Sequence, residues 1–234
     1  MLLRRVVHWG LGYILILGCF MGLFIFGGKA VTAMNDGEFT YKRKCIIIDA
    51  GHGGVDGGAT SCTGVLESKL NLQIALRLED LLHLVGVDTV MIRREDISVY
   101  TEGESIAAKK VSDLKERVRI VNSIENAALI SIHQNTFSDP RYSGAQVFYA
   151  STGESQQLAR TLQQSLVTNL NPSSNRKAKK GSGVYLLDKI KNTGVLVECG
   201  FLSNPEEEGK LRSTTYQLKL CSVIASVVCN DILN

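Results

Sequence analysis

Three short segments of the sequence place side chains capable of metal or proton chemistry directly after apolar runs. They read DAGH at residues 49–52, SIHQN at 131–135 and VECG at 197–200. If each apolar run is a strand of one α/β sheet, the strand ends meet at the carboxyl edge, where the sites of such folds gather. Two histidines and a carboxylate from separate strands are the donor set of a His₂Glu zinc site, which leaves one position open for water.

The histidine count narrows this hypothesis. The sequence has 4 His: His8 flanks an N-terminal apolar segment, and His83 lies one position off the apolar stripe of a predicted helix. His52 and His133 are therefore the candidate ligands. They lie far apart in the chain and no HExxH motif fixes two ligands locally, so a hydrogen-bonded structural role for either histidine stays open at this point.

Alternating strands and helices must position these groups. The apolar run that begins at Cys45 predicts a strand buried on both faces, and the glycine-rich segment 51–58 predicts a loop. Apolar residues then recur every four positions from Leu66 to Leu82, which predicts a helix closed by Gly86. Further strands are predicted over 88–92, 127–132, 144–149 and 194–199, and further helices over 112–123, 154–170 and 214–233. This order predicts a single α/β domain with a central, mostly parallel or mixed sheet flanked by helices.

The charge distribution argues against a nucleic-acid-binding protein. Three of the 26 Lys+Arg and none of the 23 Asp+Glu lie in residues 1–33, so the rest of the chain is neutral. A nucleic-acid-binding domain normally carries its basic excess in the folded part. The tract with Lys177, Lys179 and Lys180, in a polar surface loop predicted over 171–183, is either a solvated loop or a contact for an anionic polymer.

The N-terminal segment predicts export. Residues 9–28 are uncharged and apolar, and as a helix they can cross a hydrocarbon core about 30 Å thick, with two arginines before them. The small residues at 31–33 also suit a cleavage site, so a cleaved signal peptide and a membrane anchor both stay open. We therefore divide the chain into a signal or anchor (1–33), a linker (34–44) and one folded domain (45–234).

Four blocks of the sequence resemble, in order, the motifs of the zinc-dependent N-acetylmuramoyl-L-alanine amidases. They are IIIDAGHGGVDGGA, GVLESKLNLQIALRL, ERVRIVNSIENAALISIHQN and GVLVECGFLSNPEE, and the resemblance spans about residues 45–232. It implies that His52, Glu67 and His133 hold one Zn²⁺ per chain. It also implies that Glu198 is the catalytic group. Taken alone, Glu67 would be a first-turn acid favoured by the helix dipole, but beside the other blocks ligation is favoured.

Other residues of these blocks have supporting roles in this interpretation. Arg117 stabilises the site or its helix, or else lies on a solvated helix face. Asn135 orients His133 or contacts the substrate. Asp49 accepts a hydrogen bond from a ligand histidine. The family usually has Pro where this chain has Ala50.

Within the family, the chain resembles the short single-domain type associated with spore cortex and germination, in its N-terminal apolar segment and its SDPRYSGAQVFY stretch. This implies hydrolysis of the amide between N-acetylmuramic acid and L-alanine in cortex peptidoglycan, a step towards muramic-δ-lactam, with Glu198 moving the proton. The enzyme would act outside the cytoplasm, held at the membrane by residues 1–33 if they are not cleaved. No wall-binding domain or repeat is visible, which suggests an accessory protein.

Two other functions remain as alternatives. A thiol-dependent wall hydrolase would use Cys199 or Cys62 with a histidine, although Cys199 follows Glu198 on a strand and so faces the opposite side. The sequence has no CxxC pair, which would indicate a zinc ribbon or a redox site. A catalytically inactive glycan- or partner-binding module would keep the fold and bind zinc without cleaving an amide.

Overall fold

The structure, a computed structural model, describes residues 44–231. The segments predicted as a signal or anchor (1–33) and as a linker (34–44) lie outside the described residues, apart from Lys44. Within the described part of the chain, no helix combines the length and the apolar character that crossing a membrane requires.

Three apolar runs form the middle of a six-stranded sheet. β1 (Cys45–Ala50), β3 (Ala127–Asn135) and β6 (Thr193–Phe201) lie side by side, all parallel. Helices cover both faces of these strands, which explains why the runs are continuously apolar rather than alternating.

Shorter strands complete the sheet on both sides. They are β2 (Thr89–Met91), β4 (Gln146–Tyr149) and β5 (Lys179–Lys180), and the strand order is β2-β1-β3-β6-β4-β5. β2 runs parallel to β1, whereas β4 runs antiparallel to β6 and β5 parallel to β4. The prediction of a mostly parallel, mixed sheet flanked by helices is confirmed.

Helices pack on both faces of this sheet. They are α1 (Glu67–Leu84), α2 (Ile106–Ser123), α3 (Ser155–Leu170), α4 (Tyr185–Lys189), α5 (Pro205–Arg212) and α6 (Thr214–Asp231). Successive residues of β1 face opposite sides. Ile48 therefore lies in the core formed with α1, α3 and α6, and Ile47 in the core formed with α2 and α4.

The structure differs from the predicted elements where no apolar repeat marks them. α4 and α5 are too short to show a helical period, and the sequence pattern predicts neither. α2 begins before residue 112, the predicted start, because its first turns are almost entirely exposed and carry no apolar stripe. Ser105 caps this earlier start by accepting a hydrogen bond from Ala108 N (3.1 Å). The segment 171–183, predicted as a surface loop, contains β5.

Two leucines of α1 provide a test of this layering. Leu78 is fully buried, whereas Leu84, the last residue of the same helix, is 81% exposed. Leu78→Ala should lower the free energy of unfolding by about 2–5 kcal/mol, because it leaves a cavity in the larger core. Leu84→Ala should change it by less than about 0.5 kcal/mol. Denaturant titrations measure both, and equal losses would contradict this assignment of the buried face.

Candidate metal centre

The carboxyl ends of the three central strands carry both candidate histidines and Glu198. His133 on β3 lies directly opposite Glu198 on β6. His52 follows the end of β1. Because these strands are parallel neighbours, their ends lie at the same edge of the sheet, and the structure brings the three side chains together there.

Glu67 reaches this edge because the chain between β1 and α1 doubles back. Two antiparallel bridges fold the segment 53–66, and Glu67 N donates to Ala59 O (2.9 Å). The Glu67 side chain is only 3% exposed. An acid that served the helix dipole alone would extend into solvent, so the structure favours the site role for Glu67 over that alternative.

The Glu67 carboxylate lies between the two imidazole rings. Its Oε2 is 3.3 Å from His52 Nε2, and its Oε1 is 3.1 Å from His133 Nδ1. The rings meet edge to face, with centroids 5.0 Å apart. One ligating atom from each of the three residues lies within 4.8 Å of the others. This cluster can hold a metal ion.

Hydrogen bonds from neighbouring elements fix the Glu67 carboxylate. Ala59 N donates to Oε2 (3.0 Å), and Gln134 N donates to Oε1 (3.0 Å). The Asn71 side chain, one turn along α1, also donates to Oε1 (3.2 Å). Two of these donors lie outside α1, in the loop and on β3, so the fold orients the carboxylate together with its own helix.

Two glycines leave the space that the cluster needs. A Cβ atom at Gly51 would lie 2.1 Å from His133 Nε2, and one at Gly58 would lie 2.6 Å from Glu67 Oε2. Gly58 also has a φ of +68°, a conformation that residues with a side chain rarely adopt. His52 itself has a φ of 60°, so the loop is held in an uncommon backbone conformation at a candidate ligand.

Asp56 orients His52, a role that the sequence reasoning did not assign. Its Oδ2 lies 2.8 Å from His52 Nδ1, which leaves Nε2 directed at Glu67. A carboxylate that fixes the far nitrogen of a ligand histidine is the usual arrangement around protein metal sites. Lys110 on α2 holds the other Asp56 oxygen at 2.7 Å. The sequence signal for Asp56 was its position four residues after His52, in the glycine-rich loop.

The cluster attracts positive charge. Burial lowers the pKa of His52, but the carboxylates of Glu67 and Asp56 outweigh burial and raise that pKa to about 9. Burial would raise the pKa of Glu67, yet its hydrogen bonds to His133 and His52 hold it well below its usual range. A metal ion competes with protons for the same atoms, so metal binding here releases protons.

Glu198 lies beside the cluster, opposite His133 on β3. Its Oε2 is shielded from solvent and makes no hydrogen bond within the described residues. Burial raises the pKa of this carboxyl to about 7, although the charge of His133 acts in the opposite direction. A group with this pKa can accept and return a proton near neutral pH.

A cleft of about 280 Å³ opens beside these groups, between α2 and α4. His52 and His133 line it at the sheet edge, and Leu114 and Tyr185 line it from the two helices. A substrate can therefore approach the cluster from this side.

Arg117 is buried, and of its two predicted roles the structure supports the stabilising one. The guanidinium donates to the Asp49 carboxylate and to the carbonyls of Ala50 (3.0 Å) and His52 (2.7 Å). Its Nε donates to Asp113 on its own helix (2.6 Å). Arg117 thus links α2 to the end of β1 through hydrogen bonds.

Asp49 has different partners from the predicted ones. It bonds neither histidine; it accepts hydrogen bonds from Arg117 and from Ser131 Oγ (2.6 Å). Burial would raise its pKa, but the Arg117 charge outweighs that effect and keeps the pKa below its usual range. The physical reason is that a carboxylate 1% exposed needs a cation beside it.

Arg93 supports the same loop from the other side. It is 3% exposed and donates to the carbonyls of Ala50 (2.8 Å), Gly51 (3.0 Å) and Ser68 (2.9 Å). No sequence motif pointed to Arg93, because its partners are backbone atoms.

Within the described residues, the Asn135 side chain makes no hydrogen bond to His133, so a contact with substrate stays a prediction. Cys199 is 1% exposed in the core opposite Glu198, and burial raises its thiol pKa well above the usual value. A thiol buried in this way is a poor nucleophile, which disfavours Cys199 for a thiol-dependent hydrolase. Cys62 is exposed.

Three strand ends converge on a cluster that can hold a metal ion. Next to it lies the Glu198 carboxylate, whose Oε2 has no partner among the described residues. This is the arrangement of a metal-dependent hydrolase. Comparison with known proteins makes this class specific. The family model described as N-acetylmuramoyl-L-alanine amidase matches residues 46–230, and the chain belongs to this family.

Individual relatives agree with that membership. The chain is 36% identical over 228 residues to the germination-specific N-acetylmuramoyl-L-alanine amidase of Bacillus subtilis, covering 95% of this chain and 93% of that protein. It is similar to the CwlD amidase from Clostridioides difficile, solved in complex with the GerS lipoprotein, with a TM-score of 0.76 and 35% identity over 80% of this chain and 97% of that one. An N-acetylmuramoyl-L-alanine amidase from Clostridium difficile 630 has a TM-score of 0.69 and 29% identity, over 80% of this chain and 96% of that one.

Two arginines on α2 test the role of the buried ion pair. Arg117→Ala should lower the free energy of unfolding by about 3–5 kcal/mol, because it leaves the Asp49 carboxylate buried without a cation. Arg119→Ala, which removes an exposed pair with Glu116, should cost less than about 1 kcal/mol. Urea titration of both variants measures the difference. Similar small losses for the two would show that Arg117 does not hold the end of β1.

Proposed function

We propose that this protein hydrolyses the amide between N-acetylmuramic acid and L-alanine of peptidoglycan, with Zn²⁺ held by His52, Glu67 and His133 and with Glu198 as the catalytic group. The observation that carries the proposal is the juxtaposition at one sheet edge. Three potential ligating atoms lie within 4.8 Å of one another, next to a shielded Glu198 oxygen that has no partner within residues 44–231.

The donor set fits zinc. Two imidazole nitrogens and a carboxylate are a known three-residue set for catalytic Zn²⁺, which keeps a further position open. The carboxylate of Asp56 on the far nitrogen of His52 supports the same interpretation. When bound, the ion would supply a Lewis acid that polarises the amide carbonyl and makes water more acidic.

The chain's own residues then handle the proton. Glu198 stands opposite His133, and its Oε2 is free to accept a proton from the attacking water. With a pKa raised by burial to about 7, the protonated carboxyl can donate to the leaving amine of L-alanine. Asp49 and Arg117 position the end of β1, and so the loop that carries His52.

The names of two relatives support a particular substrate, location and partner for this reaction. One relative is named germination-specific, which supports a role on spore-cortex peptidoglycan, outside the cytoplasm. Another was solved with a lipoprotein, which supports an accessory partner for this chain as well. In this proposal residues 1–33 direct export or anchor the protein, 34–44 form a linker, and 45–234 form the catalytic domain.

Glu198→Gln should keep the metal but lose activity by about 10²–10⁴-fold, because the glutamine side chain cannot take the proton from water. His52→Ala should lose both activity and metal. Metal analysis and mass spectrometry of digested cortex peptidoglycan, in which peptides with a free N-terminal L-alanine are the product, measure the two properties.

Another glutamate and another histidine provide matched controls for these two variants. Glu206→Gln and His83→Ala change exposed side chains outside the cluster and should retain both activity and metal. Full turnover by Glu198→Gln would remove Glu198 from the mechanism. Normal metal content in wild-type protein that cleaves no amide would favour the inactive binding module.

Removal of the metal should abolish cleavage. A chelator should also lower the midpoint of thermal unfolding, because a ligand that binds only the folded state stabilises it. One equivalent of Zn²⁺ per chain should restore both properties. A thiol reagent, which can reach the exposed Cys62, should leave activity intact; the reverse pattern would support the thiol-dependent alternative.

A further inference from the structure

A second and larger groove lies on the other side of the strand that carries Glu198. β6 lies between β3, which carries His133, and β4, whose Gln146 pairs directly with Glu198. Gln146 is 2% exposed and lines a groove of about 900 Å³ between segments 139–143 and 171–179. Opposed residues of an antiparallel pair have Cα atoms about 5 Å apart, so one residue that lines the groove lies beside Glu198 in the sheet.

The groove has an uncompensated positive charge. Asp139 and Arg141 form an ion pair with each other at 2.6 Å, so their charges cancel. Arg176, Lys177 and Lys179 also line the groove, and within the described residues none of the three has a carboxylate partner. The groove therefore favours an anionic ligand.

Arg176 is held in place before any ligand arrives. Its Nε donates to Ser143 O (2.9 Å), and its guanidinium lies over the Phe201 ring, 4.9 Å from the centroid. An arginine fixed in this way loses little conformational freedom when it binds a carboxylate. The two lysines are exposed and extend the positive field along the groove.

The groove also has an aromatic wall. Tyr142 lines it and is 47% exposed. Tyr142 packs edge to face against Phe137, itself 50% exposed, with ring centroids 4.6 Å apart. The groove thus offers an apolar surface next to cationic side chains, which suits a short peptide that has both methyl groups and carboxylates.

We propose that this groove binds the stem peptide of the substrate and that Arg176 receives one of its free carboxylates. The inference rests on the proposed amidase function, which puts the scissile bond at Glu198 and requires the peptide to leave that point on one side. Beyond L-alanine the stem carries free carboxylates, so it is an anion at neutral pH. A guanidinium can bind a carboxylate through two parallel hydrogen bonds.

A binding measurement that needs no cleavage tests this proposal. The full chain with Glu198→Gln is titrated into a fluorescently labelled stem tetrapeptide, and anisotropy gives the dissociation constant. Adding Arg176→Gln should weaken binding about tenfold, as for a lost hydrogen bond to a charged group. Adding Lys177→Gln and Lys179→Gln together should weaken binding at low salt and reduce its salt dependence. A peptide with amidated carboxyl groups should bind weakly to all variants.

Arg160→Gln is the matched control, since Arg160 is exposed on α3 and does not line the groove; it should bind the peptide like its parent. Thermal unfolding checks each variant, and the double lysine variant decides the question if Arg176→Gln does not fold. Parent-like affinity in both variants would overturn the proposal. So would tight binding of poly(glycerol phosphate) without binding of the peptide. Failure of the proposed function is separately visible, as wild-type protein that binds the peptide but cleaves no amide.

Discussion

The buried guanidinium of Arg117 makes the contacts on which the geometry of the candidate metal centre depends. It reaches from α2 to the end of β1, where it neutralises Asp49 and donates hydrogen bonds to the carbonyl oxygens of Ala50 and His52. Arg93 binds carbonyls of the same loop from the other side. Buried backbone oxygens need donors and a buried carboxylate needs a cation, and two arginines meet both needs at once. The loop that carries His52 is thereby held in its left-handed conformation.

Close packing also constrains the candidate metal centre itself. Gly51 lies so close to His133, and Gly58 so close to Glu67, that neither position has room for a Cβ atom. The Glu67 carboxylate receives backbone donors from two other segments, the loop and β3, and it faces both imidazoles. Any shift of α1, β3 or the loop would therefore disturb it. The same contacts that hold the loop against α1 and β3 therefore also set the geometry of the His52, Glu67 and His133 cluster.

The main strands and helices, and the candidate site residues at the strand ends, could be predicted from the sequence. Continuous apolar runs marked β1, β3 and β6, and their last residues led directly to His52, His133 and Glu198. Glu67 needed the family resemblance, because a first-turn acid has an ordinary explanation and only the folded loop shows otherwise. Partners fixed by loop geometry or by backbone contacts have no periodic signal. For that reason Asp56 and Arg93 were missed, and Asp49 was assigned the wrong partner.

The two edge strands of the sheet, β2 and β5, affect the tendency of the protein to aggregate. β2 has three residues and β5 only two, Lys179 and Lys180, both exposed. A long, flat, apolar border would offer its free N–H and C=O groups to a second molecule and start aggregation. Here each border is too short to template another strand, and one of them repels its own copy by charge. The two short borders thus limit association of this protein through the edges of its sheet.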